Sequence, residues 1–218
     1  MVITDIENAL CERLRQGMGR MVRSVASYGG EMDGEPAEII RQLPGIWVTF
    51  GGVQKTERTS TARNKFLTHG RFVVIVGDRN VRNEAASRTG GPNKDEVGTY
   101  RLVAAVRRLL SGQDMGLKID HFVPGKVRTL FNTQLEHEAF SVFACEFDTK
   151  WVEHALENGQ FPLTNAPAGH EDNLFVPYLG TTSEDDPEWL STRLSYALKP
   201  GDDKPDAEDI IQHAVKNS

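Results

Sequence analysis

The residues best suited to chemistry in this chain are Cys11, Cys145 and six histidines: His69, His121, His137, His154, His170 and His213. A thiol beside an imidazole would make a nucleophile pair. Cys145 lies within Phe143-Ala144-Cys145-Glu146-Phe147, an apolar strand-like run where a thiol is buried and inert. Zinc ligands need short helical or loop spacings. No two histidines stand as HxxxH, and none neighbours a cysteine. His170-Glu171-Asp172 offers oxygen ligands to a hard cation, but a solvated loop is the reading the residues favour. Glu136-His137-Glu138 has acid–base groups at a predicted hairpin tip, where charge is expected anyway. Ser60 and Ser87 lack a GxSxG setting. No GxxxxGK[ST] or GxGxxG is present, and Gly51-Gly52 reads as a bulge or turn rather than a phosphate cradle. The residues therefore point to no catalytic centre, metal or cofactor.

Two polar stretches stand out instead. Residues 54–63 carry Lys55, Arg58 and Arg63 against Glu57. Residues 79–94 carry Arg79, Arg82, Arg88 and Lys94 against Glu84. Long polar loops on a rigid scaffold commonly carry binding. Their surplus cation suits an acidic partner surface or passing DNA. Neither stretch has interleaved aromatics, so base stacking is unsupported.

The elements that must position these loops follow from periodicity. Thr4-Asp5-Ile6-Glu7 matches a capping box. Ile3, Ile6, Leu10 and Leu14 give a helical stripe that Gly17 and Gly19 end. A strand is expected over 22–28 and a short helix over 35–43, with Pro36 in its first turn. Residues 46–53 and 65–78 read as strands. The run Phe72-Val73-Val74-Ile75-Val76 is apolar on both faces, as in the middle of a sheet. Residues 95–110 form the clearest helix, with Val97, Tyr100, Val103, Ala104, Val106 and Leu110 as its apolar face and Gly112 as C′ residue. Strands over 126–136 and 140–147 follow as a hairpin.

The order α-β-α-β-β-α-β-β predicts an α+β fold, a mostly antiparallel mixed sheet with helices packed on one face. Beyond it, residues 155–180 have three prolines and little periodicity. Helices are expected over 183–198, with Trp189, Leu190, Leu194 and Leu198 as a stripe, and over 206–216.

Composition divides the chain at the same place. Of 218 residues, 39% are apolar, enough for a sizeable core. Residues 1–151 hold 21 Lys+Arg against 18 Asp+Glu, and residues 152–218 hold 4 against 13. The net charges are +3 and −9, which recover the overall −6. An α+β domain over 1–151 with an acidic C-terminal arm over 152–218 is expected. A body of +3 is too weakly basic for a tight nucleic-acid binder. There is no run of about 18 apolar residues, so no membrane partner is expected. The N-terminus lacks a basic then apolar leader pattern, and the cysteine spacing gives no disulfide framework, so synthesis in a reducing cytoplasm is expected.

Several motifs then fall in register. They are Ile6-Glu7-Asn8-Ala9, Val25-Ala26-Ser27-Tyr28-Gly29-Gly30-Glu31 and Pro44-Gly45-Ile46-Trp47-Val48-Thr49-Phe50-Gly51-Gly52. Asn80-Val81-Arg82, Glu96-Val97-Gly98-Thr99-Tyr100, Arg107-Arg108-Leu109-Leu110 and Arg128-Thr129-Leu130-Phe131-Asn132-Thr133 follow. Over residues 1–151 the chain resembles the Mu-like phage gene 37 family, associated with tail-terminator proteins. The resemblance implies a ring, commonly six-fold, that caps the finished tail tube at the head-proximal end of the virion. It implies contacts with tube proteins, sheath proteins and head–tail connector proteins, and no catalysis. The cationic residues Lys55, Arg58, Arg63, Arg79, Arg82, Arg88 and Lys94 would face the lumen or tube end. Trp189, Leu190 and Leu194 would dock the arm on a neighbouring subunit or an adjacent tail or head protein. A head-completion or connector protein, a tube subunit and a small hydrolase are the rival readings.

Overall fold

The period-2 and period-3.6 patterns of the first half become a five-stranded sheet and two helices. A computed structural model describes residues 2–30, 41–59, 64–80, 88–89, 97–135, 138–183, 191–196 and 207–212. Helix α1 spans Val2–Met18, β1 Ser24–Ser27, β2 Gly45–Arg58 and β3 Lys65–Asn80. Helix α2 spans Thr99–Leu110, β4 Val123–Leu135 and β5 Glu138–His154. The strands lie in the order β1-β2-β3-β5-β4. Only β1 and β2 pair in parallel within this sheet, and every other neighbouring pair is antiparallel. This is the expected α+β class, with a mixed sheet and helices. No described helix is long and apolar enough to cross a membrane.

Strand β3 sits in the middle because its residues want cover on both sides. Phe72, Val74 and Val76 point into the main core with Ile46 and Val48 of β2 and Cys145 and Phe147 of β5. Ile6, Leu10, Leu14 and Met18 of α1 and Leu102, Val106 and Leu110 of α2 close that core. The alternate residues serve a second cluster on the opposite face, built from Leu43, Trp47, Ile75, Phe140 and Val142. The core is aromatic where the strands are longest. Phe72 lies 5.2 Å from the Phe50 ring and 6.0 Å from that of Phe122. Trp151 crosses β3 above Gly70, where any Cβ would stand 2.2 Å from the indole.

Helix α2 is hung from the sheet by polar bonds at its first turn. Asp78 of β3 is buried, and its carboxylate accepts from the Gly98 and Arg79 backbone N–H groups. The Thr99 and Ser141 hydroxyls share a buried 2.6 Å hydrogen bond. At the other end Gly112 has φ 72, the left-handed conformation expected of a C′ glycine. Arg13 of α1 donates to the Leu109 carbonyl at 2.7 Å, satisfying one of the helix's last free acceptors.

Four expectations need correction. The capping box does not start α1, because Val2 is already helical and Thr4 lies inside the helix. The buried face of α2 is Thr99, Leu102, Val106 and Leu110, whereas Tyr100 and Ala104 are exposed. The polar stretch 54–63 is no loop over its first half, since β2 runs on to Arg58, and Arg79 belongs to β3. The two arm helices are replaced by strands over the described residues: Ser191–Tyr196 is a strand (β6) pairing antiparallel with Ala207–Gln212 (β7). Thr192, Leu194 and Tyr196 alternate with Ser191, Arg193 and Ser195, a period of two that the leucine spacing masks. The helix expected over 35–43 falls mostly outside the described residues, although Arg41 and Gln42 are helical.

The chain divides into two units, Met1–Ala155 and Leu156–Ser218. In the second, a parallel bridge joins Leu163 to Ser183, and β6 and β7 form a separate hairpin-like pair.

Replacing Phe72 with Ala removes the ring that Phe50 and Phe122 pack against. The loss should be about 3–5 kcal/mol of folding stability, read as a lower urea midpoint at unchanged slope.

Candidate functional site

The sequence-predicted cations are not gathered at one place. Lys55 lies on β2 opposite His69, and Arg58 lies opposite Phe66. Arg79 lies near the far end of β3, opposite Phe140. Phe66 and Arg79 are 13 residues apart on one strand, or about 40 Å at roughly 3.3 Å per residue. The two cationic groups therefore mark opposite ends of the sheet. Arg88 is described within a short helical stretch at 88–89, and Arg63, Arg82 and Lys94 lie outside the described residues. Lys55 is exposed and bonds Glu57, which holds the Glu57 carboxyl below the usual carboxylate range. The Arg79 backbone N–H is fastened to Asp78, so its Cα is fixed by the core.

Of the predicted arm-docking residues, Leu194 is described and sits half-exposed on β6. Trp189 and Leu190 lie outside the described residues.

The enzyme rival loses its nucleophile. Cys145 is fully buried on the helix-covered face, and burial pushes its thiol up to about 11. Cys11 is likewise buried and raised by desolvation. Both are free thiols. Among the described residues no three His, Cys, Asp or Glu side chains converge as a metal site. Asp172 is used structurally: it is buried, accepts from the Leu163 N–H at 2.8 Å, and lies 3.6 Å from His170 Nδ1. Ser60, Ser87 and the Glu136-His137 tip lie outside the described residues. The Gly51-Gly52 pair sits at a register shift of the β2–β3 ladder, a bulge as expected.

A charge network missed in the sequence lies on the face of the sheet opposite α1 and α2. Arg71 of β3 makes a two-pronged bond to its cross-strand partner Asp148 at 2.7 and 3.0 Å. It also reaches Glu146 at 2.8 Å, and Arg128 of β4 approaches Glu146 at 3.5 Å. The Asp148 bond, above all, raises the Arg71 pKa further. This network locks three strands in register, because a one-residue slip would turn the partners to opposite faces. Its sequence signal is two ionic residues at period two, Glu146 and Asp148, opposite a strand carrying Arg71. A cavity of about 200 Å³ beside it is lined by Gln54, His69, Asp120, His121 and Lys150. Asp148 also lines it, and both its oxygens are held by Arg71, so that carboxylate is not free to act as a base.

The larger concavity follows the outer side of α2. It is an open groove of about 970 Å³ with Tyr100, Val103 and Ala104 as an apolar floor and Arg107, Arg108, Ser111 and Gln113 at its end. Tyr100 stands edge-on to Phe143 of β5 at 5.7 Å. Arg107 donates to the Gly125 carbonyl at 3.1 Å, which fixes the rim against edge strand β4. The sequence places these apolar residues on a buried face. The helix in fact carries two apolar stripes, one for the core and one outward, and the excess width of its apolar arc is the signal for the second.

Two outcomes follow. Arg71→Ala leaves the largely buried Glu146 carboxylate without its nearest cation, and should cost about 1–3 kcal/mol in urea unfolding. Cys145 should resist alkylation at pH 8 until the chain unfolds. Its native pKa lies above the unfolded value of 9.0, so its contribution is intact below pH 9 and lost as pH rises toward about 11. A Cys145→Ala variant should show a flatter stability profile over that window.

The family model described as Bacteriophage Mu, Gp37 matches residues 2–152. No curated protein matches the chain.

Proposed function

The chain belongs to the Bacteriophage Mu, Gp37 family, a family of phage structural proteins, and from that premise we propose that it is a tail terminator. In this reading identical subunits close a ring, commonly of six, that caps the tail tube and any sheath and joins the tail to the head's connector proteins. The family match over residues 2–152 carries the reading, because it spans both helices and all of the sheet but the last two residues of β5.

The geometry supports it in two ways. The sheet has two edges, β1 and β4, formed from different stretches of chain. Unlike edges and unlike flanking surfaces suit a head-to-tail contact, and a head-to-tail contact closes a ring when its rotation divides the circle. The cationic groups stand at opposite ends of β3. A subunit whose strands run along the ring axis presents Lys55 and Arg58 at one end and Arg79 at the other. One end meets the tube and the other the head side, with passing DNA in the lumen between. In this reading the role is carried by fit and charge, with no bond made or broken.

The mass of the native particle tests the ring: a closed oligomer supports it, and a solitary chain at every concentration overturns it. Open filaments would instead mark a tube subunit. Arg79→Ala, Arg82→Ala and Arg88→Ala together should leave folding intact and reduce head–tail joining by about tenfold or more in a complementation titre. Normal titres from that variant would remove these arginines from the contact.

A further inference from the structure

The second unit contains a built loop with an apolar tip turned to solvent. Its ends are tied together: Leu163 bridges Ser183, Thr164 N–H donates to the Ser183 carbonyl, and Ser183 N–H donates to the Pro162 carbonyl. The Thr164 hydroxyl adds a bond to Thr182. The buried Asp172 carboxylate holds the middle of the loop to the Leu163 N–H. Two 3-10 turns, Glu171–Leu174 and Val176–Tyr178, then carry the chain around the tip.

At that tip Leu174, Phe175 and Val176 are exposed, Tyr178 is 80% exposed and Leu179 is 94% exposed. Leu179 also has φ 54, a left-handed conformation unusual for leucine. A consecutive apolar cluster presented to water on a tied loop is costly unless something covers it. Its closure means that little conformational freedom is left to lose on docking.

We infer that this tip seats in the α2 groove of a second copy of the chain. The groove offers a matching surface: an apolar floor of Tyr100, Val103 and Ala104, and a cationic end of Arg107 and Arg108. Helix α2 has three arginines and no acidic residue. The loop carries Glu171 beside its tip, and residues 152–218 have 13 acidic residues against 4 basic ones. Apolar surface meets apolar surface, and the acidic unit meets the basic helix. The occupant is a second copy because the two surfaces are unlike each other and both belong to every subunit, so each copy gives a loop and receives one. The inference rests on the ring reading above and names one contact that would hold the ring.

Two differently tagged forms of the full chain test it, one Leu179→Cys and the other Ala104→Cys. Cys11 and Cys145 are buried and give little background. Mixed, assembled and treated with a bismaleimide, they should yield a cross-linked pair carrying both tags. In parallel, Leu179→Asp should raise the concentration for half-assembly at least tenfold. Glu171→Arg should raise it several-fold, with recovery when combined with Arg108→Glu. A ring that forms without the mixed cross-link, and is indifferent to Leu179→Asp, overturns this contact and leaves the ring reading intact. A third form carrying both Leu179→Cys and Ala104→Cys that cross-links only within itself, with no mixed pair from the two single forms, overturns the second copy as occupant. A chain that neither assembles nor cross-links overturns both.

Discussion

A strand that is apolar on both faces cannot leave either face of its sheet in water. Strand β3 imposes that condition here. Phe72, Val74 and Val76 need the two helices, and Ile75 needs the cluster of Leu43, Trp47, Phe140 and Val142. Each alternate side chain fully buried contributes about 1.5–3 kcal/mol, so neither layer is optional. The remaining features of the first unit serve to hold the cover in place. Asp78 and the Thr99–Ser141 bond fasten the start of α2, and Arg13 fastens its end.

The same sheet explains where charge is found. On the face opposite α1 and α2, Arg71 pairs with Asp148 and Glu146, and on the helix-covered face the buried Asp78 carboxylate is met by two backbone N–H groups. Desolvating such groups is expensive, and the pairing mainly fixes which residues face which. Because it joins β3, β5 and β4, the network fixes register across half the sheet. That register in turn decides which ends of the long strands project. The cations at 55–58 and at 79 are separated by the length of β3 because the register leaves them no other place.

Edges are the other consequence of an open sheet, since unpaired N–H and C=O groups invite another strand. Both edges carry an arginine on a carbonyl. Arg15 donates to Val25 of β1, and Arg107 donates to Gly125 of β4. Such caps disfavour indiscriminate strand addition and leave side-chain surfaces to direct association. For the proposed terminator, which would stop at one ring, that division of labour is useful. Polymerisation through bare edges has no natural end, whereas a shaped loop-and-groove contact has a fixed angle.

Much of this was legible in the residues themselves. The hydrophobic periods determined α1, the central place of β3, the β4–β5 pairing and the α+β class, because burial acts on patterns that the chain carries locally. The order of motifs determined the family. Other features were decided by tertiary structure. Which of two apolar stripes on α2 met the core depended on the sheet beneath it. Whether 191–196 and 207–212 became helix or strand depended on their pairing with each other across the intervening chain. Lys55 and Arg79 looked like members of two similar loops until the register of β3 set them far apart. In each case the deciding energy lies in contacts between segments distant in sequence, which no local period records.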